Sequence, residues 1–333
     1  MKESNSKFQA YRVENINDQF VGTLKEMVFR PLENEEILIK VHYSSLNYKD
    51  ALSASGNKGV TRKYPHTPGI DAVGTIEKSN SKTFKVGDEV IVTSYDLGMN
   101  TDGGFAEYVQ VPSEWALKLP AKMTMKEAMI FGTAGLTAGM SVLRLTEMVK
   151  PEQGKIAVSG ATGGVGALSV SLLSRLGYSV VAITGKETEF DYLFNLGAKE
   201  VLLRSEIENF YKKPLLKPLF AGAIDTVGGT ILENIIKSTN SIGTITCCGN
   251  VASPKLELTV FPFILRGISL IGIDSQNYPM KYRKDVWVKL SDEWKPTQLE
   301  DTCSEIRLGE VESKIKLMLQ GKLKGRTILK LIN

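Results

Sequence analysis

Downstream of Lys155 the chain alternates two hydrophobic patterns. Short apolar runs, read as strands, occupy residues 156–158, 180–184, 201–203, 221–225, 243–247 and 269–273. Helical spacing fills the gaps: Leu168, Leu172, Leu173 and Leu176 recur within 167–176 before Gly177, and 187–196 is closed by Gly197. Six strands joined by crossovers predict a doubly wound parallel sheet, the Rossmann arrangement, over residues 126–274. At its start, 126–145 carries two helical patterns joined at Gly132 and Gly135.

The first 125 residues read differently. Apolar and polar positions alternate over 8–44, with breaks expected at Gly22 and at Asn34 and Glu35, and 36–43 enters a core as a strand. A polar and aromatic segment, 44–50, follows. Turn-and-strand patterns recur at 64–76, 85–92 and 103–111, so a compact β-rich domain is expected. After residue 273 come a polar segment around Trp287 and Trp294, an amphipathic helix over 311–319 and a last strand over 326–331. That strand is expected to return to the β-rich domain, giving domains of 1–125 with 275–333, and 126–274.

Composition narrows the function. The 333 residues are 42% hydrophobic, enough for two cores, and the net charge of +4 comes from Lys and Arg spread among acids, which gives no nucleic-acid surface. Cys247, Cys248 and Cys303 cannot make a disulfide framework, so a cytoplasmic location is expected. The polar start, Met1-Lys2-Glu3-Ser4, does not read as a signal peptide. Residues 156–174 carry no charge, yet their Gly, Ser and Thr content and strand-to-helix break argue against a membrane span.

The break itself carries chemistry. Lys155-Ile-Ala-Val-Ser-Gly-Ala-Thr-Gly-Gly-Val-Gly166 is strand, glycine turn, helix start, where backbone N–H groups meet a phosphate. Its spacing, Gly160-x-x-Gly163-x-x-Gly166, departs from Gly-x-Gly-x-x-Gly, and the alternative is an α/β fold that binds no nucleotide. After the second strand, Thr184-Gly185-Lys186 stands where an acid would select a free ribose hydroxyl. Lys186, with Arg204 after the third strand, suits the 2′-phosphate of NADPH, the alternative being solvated surface charges. Two histidines and three cysteines without C-x-x-C spacing argue against zinc, and His42 and His66 read as structural.

Several segments together resemble the medium-chain dehydrogenase/reductase superfamily in its zinc-independent quinone oxidoreductase branch, and within it the acryloyl-CoA reductase and quinone oxidoreductase group. They are Ser45-Leu-Asn-Tyr-Lys-Asp50, Pro68-Gly-Ile-Asp71, Val86-Gly-Asp-Glu-Val90, Gly103-Gly-Phe-Ala-Glu-Tyr108, Gly132-Thr-Ala-Gly-Leu-Thr137, the loop 160–166, Asp225-Thr-Val-Gly-Gly229, Pro262-Phe-Ile-Leu-Arg266 and Gly272-Ile-Asp-Ser275. The resemblance implies a GroES-like catalytic domain beside the Rossmann domain. Where zinc-dependent relatives carry a metal-binding cysteine and Gly-His-Glu, this chain has Asn47-Tyr48 and Gly69-Ile70-Asp71, and the four-cysteine zinc lobe is missing. The resemblance further implies NADPH contacts at Tyr48, Thr162, Gly163, Gly164, Val165, Thr184, Gly185, Lys186, Arg204, Asn250, Ile264 and Ser275, and a homodimer paired through the last strands of the nucleotide domain.

The expected reaction is hydride transfer from NADPH to an electron-poor conjugated acceptor, an enoyl thioester of the acryloyl-CoA type or a quinone. The protein must then hold the acceptor and stabilise the charge that develops on its oxygen. Tyr48 is the candidate orienting donor or proton source, with Asn47 and Asp50 as the neighbours that could position it, and the other reading is packing on the nicotinamide ribose alone. Asp71 and Asp88 read as turn or core-network residues. Asp225 reads either as a crevice residue or as a turn former. Lys58, Arg62 and Lys63 suit the phosphates of a CoA ester, or simply a solvated loop. A different class of reading is a protein that binds NADPH without turnover.

Overall fold

The computed structural model describes residues 7–208 and 213–332. The chain divides into two compact units: 1–133 with 276–291 and 303–333, and 134–275 with 292–302.

The first unit is β-rich. The strands Lys7–Ile16 and Gln19–Val28 form a hairpin whose turn residues, Asn17 and Asp18, take φ of 52° and 61°. Two left-handed residues match the twist of the flanking strands, and Asn and Asp tolerate that conformation. Gly22 does not break the second strand, contrary to the sequence pattern; a Cβ there would stand 1.8 Å from the Tyr11 hydroxyl oxygen, so the glycine makes room for a ring. The expected break at Asn34 and Glu35 is present, with Glu35 at φ 56° just before the strand Glu36–Leu46.

That strand is the spine of a seven-stranded sheet. The order is Cys303–Arg307, Arg326–Lys330, Glu36–Leu46, Asp71–Ser79, Glu89–Thr93 and Ala116–Lys118, with Tyr108–Pro112 paired separately onto Glu36–Leu46. The last strand therefore lies inside the sheet, antiparallel to residues 43–46. Ile37, Ile39, Val41, Val90 and Val92 fill the core, each contributing about 1.5–3 kcal/mol through burial. The polar segment read around Trp287 is a helix, Met280–Ser291, that buries Arg283, Val286, Trp287 and Leu290. The stripe escaped the periodicity because an arginine heads it. Arg283 donates to the Thr93 carbonyl (2.8 Å) and lies 4.3 Å from the Tyr95 ring centroid, which satisfies the buried cation.

The second unit is the expected doubly wound sheet. In chain order its parallel strands are Ile156–Ser159, Val180–Thr184, Glu200–Leu203, Phe220–Asp225, Thr239–Cys247 and Ser269–Gly272. Across the sheet they run third, second, first, fourth, fifth, sixth, the Rossmann order, which puts the switch point beside Ile156–Ser159. Residues 156–174 split into that strand and the helix Gly164–Arg175. Gly177 and Gly197 follow their helices at φ 83° and 99°, where a side chain would be strained. The helix Met125–Met148 is apolar enough to cross a membrane by composition, but 83% of its apolar window is buried in the fold. It breaks at Gly132 (φ 50°, ψ −153°).

Candidate functional site

In the nucleotide unit, the strand Ile156–Ser159 ends at Ser159 and the chain turns at Gly160 with φ 61°. A Cβ on Gly160 would meet Thr226 Oγ1 at 2.3 Å, and one on Gly166 would meet the Gly160 carbonyl oxygen at 2.3 Å. These two glycines let strand, turn and helix approach one another. Gly163 has a different task. It caps the twelve-residue helix Gly164–Arg175 in extended backbone, without a side-chain cap and without an acid in the first turn. The first N–H groups of that helix, from Gly164 and Val165 onward, are thus left to an external acceptor, which suits an anion.

Beside this helix start the ends of two further strands converge. Thr162 is buried with its hydroxyl 3.4 Å from that of Thr184, and Thr184 Oγ1 accepts the Lys186 backbone N–H at 3.1 Å. Arg204 lays its guanidinium along Gly185, since a Cβ on that glycine would sit 2.3 Å from Arg204 Nη2. Thr162, Thr184, Gly185, Lys186 and Arg204 are therefore brought together, with Gly185 supplying the space.

Asp225 resolves as a turn former. Its buried carboxylate accepts from Ser159 Oγ at 2.5 Å and from the backbone N–H groups of Val227 (3.2 Å) and Gly228 (2.8 Å), binding the fourth strand to the end of the first. Asn250 follows the fifth strand, exposed, and packs its Cα against Gly228. Ser275 accepts from Thr137 Oγ1 at 2.7 Å. Ile264 stands 67% exposed on the short helix Phe261–Arg266, which leads to the edge strand. Burial, then Asp225, pushes the Cys248 thiol up to about 12, so it is no thiolate nucleophile near neutrality.

In the β-rich unit, the helix Tyr48–Ala54 carries the catalytic candidates. Asn47 is its N-cap, and the Asn47 N–H donates to Asp50 Oδ2 at 2.8 Å. Asp50 Oδ1 accepts the N–H groups of Gly69 (3.1 Å) and Ile70 (2.8 Å). Asn47 and Asp50 are buried, whereas Tyr48 is 47% exposed. The two buried residues fix the start of the helix, and Tyr48 is presented outward from it.

Burial first, and then the negative charge of Asp71, pushes the Asp50 carboxyl up to about 7 against those N–H donors. The folded protein binds this proton more tightly than the unfolded chain does, so the contribution of Asp50 to stability falls as pH rises from about 4 to about 7 and stays low above that. Urea unfolding at pH 5 and pH 8 is expected to show that fall in the native protein and a smaller one in Asp50→Asn. Equal slopes would remove Asp50 as the cause.

Behind the helix lies a network centred on Asp71, which the sequence reads as a turn or core-network residue without naming its partners. Asp71 accepts from Ser45 Oγ (2.5 Å), Asn47 Nδ2 (2.7 Å), Thr133 Oγ1 (2.6 Å) and the Thr133 N–H (3.0 Å). Arg326 donates to Ser45 Oγ (2.8 Å), Asn47 Oδ1 (3.1 Å) and the Ile130 carbonyl (2.9 Å), and its charge lies 3.9 Å from Asp71. Gly132 makes this possible: a Cβ there would stand 2.4 Å from Asp71 Oδ2. Its left-handed φ turns the Thr133 N–H onto the carboxylate. The available signal was an arginine opening a strand whose middle, Ile328 and Leu329, is apolar. The histidines lie elsewhere, His66 with Nε2 3.0 Å from the Gly98 carbonyl and His42 with Nε2 3.3 Å from Thr75 Oγ1.

Residues 33–121 match the family model of the alcohol dehydrogenase GroES-like domain, and residues 164–292 match that of the zinc-binding dehydrogenase. The chain belongs to the medium-chain dehydrogenase/reductase superfamily. Within the superfamily, the Bacillus subtilis protein yhfP, solved with NAD bound, shares 43% identity and a TM-score of 0.95 over 98% of this chain and all of that one. The yhdH oxidoreductase of Salmonella enterica, solved with NADP, shares 37% identity and a TM-score of 0.94 over 97% of this chain and all of that one. The acrylyl-CoA reductase AcuI of Ruegeria pomeroyi is 35% identical over 309 residues, 92% of this chain and 94% of that protein.

Proposed function

We propose that this superfamily member is a zinc-independent, NADPH-dependent reductase of electron-poor conjugated acceptors, enoyl thioesters of the acryloyl-CoA type foremost. The observation that carries the reading is the helix start at Gly163, which has no side-chain cap, beside the Thr184, Gly185, Lys186 and Arg204 cluster. The helix N–H groups hold the cofactor's diphosphate, and Lys186 and Arg204 hold its 2′-phosphate. Bound NADPH supplies the hydride. Tyr48, outward on a helix fixed by Asn47 and Asp50, offers an O–H to the oxygen on which charge develops.

The relatives support this in different degrees. AcuI is named for acrylyl-CoA reduction, and the Salmonella protein holds NADP, whereas yhfP was solved with NAD. The donor set supports a reaction without zinc. Asn47 commits its amide nitrogen to Asp71 and its amide oxygen to Arg326, and the guanidinium brings a fixed positive charge to the place a metal would need.

A panel of enoyl-CoA thioesters and quinones, assayed with NADPH and with NADH, tests the proposal. Turnover of acryloyl-CoA with higher kcat/KM for NADPH is expected. In the same panel Tyr48→Phe is expected to lower kcat for thioesters by about tenfold or more and to spare quinones, which need no placed proton. Quinone turnover alone would favour quinone oxidoreduction, the activity in the provisional name of YhfP. NADPH binding with no oxidation would favour a non-catalytic protein, and a preference for NADH would remove Lys186 and Arg204 from the cofactor site.

A cytoplasmic homodimer completes the proposal. The strand Ser269–Gly272 is a sheet edge, and Val260, Phe261, Ile264 and Leu265 near it are exposed. Sedimentation velocity is expected to give twice the chain mass, and a monomer would refute the pairing.

A further inference from the structure

Between residues 51 and 70 the chain has no Asp or Glu but carries Lys58, Arg62 and Lys63. All three are exposed, and among the described residues none makes an ion pair. Some surface lysines of this unit are paired, Lys7 with Glu26, Lys25 with Glu14, Lys118 with Asp88 and Lys316 with Glu312, whereas these three stand together within six positions with no acid among their sequence neighbours. A concentration of uncompensated charge raises the local potential, which favours an anionic ligand.

The loop that carries these cations is built rather than loose. Asn57 organises it, accepting at its carbonyl oxygen the N–H groups of Val60 (2.9 Å) and Thr61 (3.0 Å) and at Oδ1 the N–H of Gly59 (2.9 Å). Thr61 is fully buried with its hydroxyl 2.7 Å from that of Ser53, and Tyr64 donates its hydroxyl to the Ser53 carbonyl at 2.6 Å. Val60 packs with Ile70 and Met99. Val60 and Thr61 face inward while Lys58, Arg62 and Lys63 stay in solvent, so the cations stand on a fixed base and little backbone entropy is lost when an anion binds.

Ser53 belongs to the helix Tyr48–Ala54, so the loop is anchored to the element that presents Tyr48. That helix is about 10 Å long. An acceptor whose reacting end lies at Tyr48 and whose anionic end lies on the loop must therefore be extended, with its negative charge remote from the reacting group. A simple quinone has no such end; a coenzyme A thioester has one, its phosphorylated nucleotide beyond the pantetheine arm.

We infer that the loop over residues 55–63 is the anchoring site for the phosphates of a coenzyme A thioester, with Lys58, Arg62 and Lys63 as its specificity-determining residues. The inference rests on the reductase reading above and adds where the remote phosphates of its thioester substrate are held. Part of the binding energy is then realised far from the reacting carbon, on groups that truncated acceptors lack.

The test is the triple variant Lys58→Ala, Arg62→Ala, Lys63→Ala. For acryloyl-CoA its KM is expected to rise roughly tenfold with kcat little changed, since the lost contacts hold the substrate without touching its reacting end. KM for acryloyl-pantetheine, which lacks the nucleotide, and KM for NADPH are expected to stay as in the native protein. Calorimetry with coenzyme A alone is expected to show binding to the native protein and about tenfold weaker binding to the variant. An unchanged KM for acryloyl-CoA, an equal rise for both thioesters, or coenzyme A binding alike to both proteins would overturn the inference. If the native protein binds coenzyme A through the loop yet reduces no thioester, the reductase reading fails and the loop assignment stands.

Discussion

Replacing Arg326 by methionine is expected to destabilise the β-rich unit by about 3–5 kcal/mol, the cost of leaving a buried charge without its partner. The guanidinium is only 3% exposed and Asp71 not at all, so water cannot take over. Its loss also leaves Asn47 Oδ1 and the Ile130 carbonyl without that donor. Methionine fills much of the volume, so the loss is electrostatic more than steric. Because Asp71 keeps its bonds from Ser45, Asn47 and Thr133, the double variant Arg326→Met with Asp71→Asn should recover part of the stability. Urea unfolding followed by the fluorescence of Trp115 and Trp287, both in this unit, reads the effect. A loss below about 1 kcal/mol would mean that the pair is a bystander.

The second large effect is expected at Gly166. Valine there would place a Cβ 2.3 Å from the Gly160 carbonyl oxygen and 2.8 Å from the Ala161 Cα, both backbone atoms that cannot step aside. The helix start must move away from the strand, and the N–H groups proposed to hold the diphosphate move with it. NADPH affinity is expected to fall by about a hundredfold, or roughly 2.8 kcal/mol, in a fluorescence titration. Gly309→Ala, in the β-rich unit, is the control: nothing lies within 4 Å of a Cβ there, so affinity should hold. Equal affinity in Gly166→Val and the native protein would move the cofactor site elsewhere.

The parallel sheet was legible because buried parallel strands are apolar on both faces and read as continuous runs. The glycine loop was legible as an interruption of those runs, although the separate duties of its glycines needed coordinates: Gly160 and Gly166 permit close approach, and Gly163 caps. Lys186 and Arg204 were proposed from their positions in the fold, and the coordinates add that Arg204 lies along Gly185, where a side chain would leave no room. The helix Met280–Ser291 was hidden because Arg283 sits in its buried stripe, a choice that makes sense only once Tyr95 and the Thr93 carbonyl lie opposite. Asp71 was readable as a turn or core-network residue, but its partners were hidden for a different reason. Arg326 and the Leu46 carbonyl it meets are 280 positions apart, and no local pattern records such a pairing. Residues 292–302 likewise join the nucleotide unit without any compositional change to mark the excursion.

The strand Arg326–Lys330 lies between Cys303–Arg307 and Glu36–Leu46, so one sheet is sewn together from segments far apart in the chain. On the ribosome this imposes a schedule. All six strands of the nucleotide unit are made before residue 326, so its sheet can close while the chain is still being synthesised. Until Arg326–Lys330 emerges, residues 43–46 of the strand Glu36–Leu46 lack their partner while 36–40 can already pair with Tyr108–Pro112, and Asp71 has no countercharge.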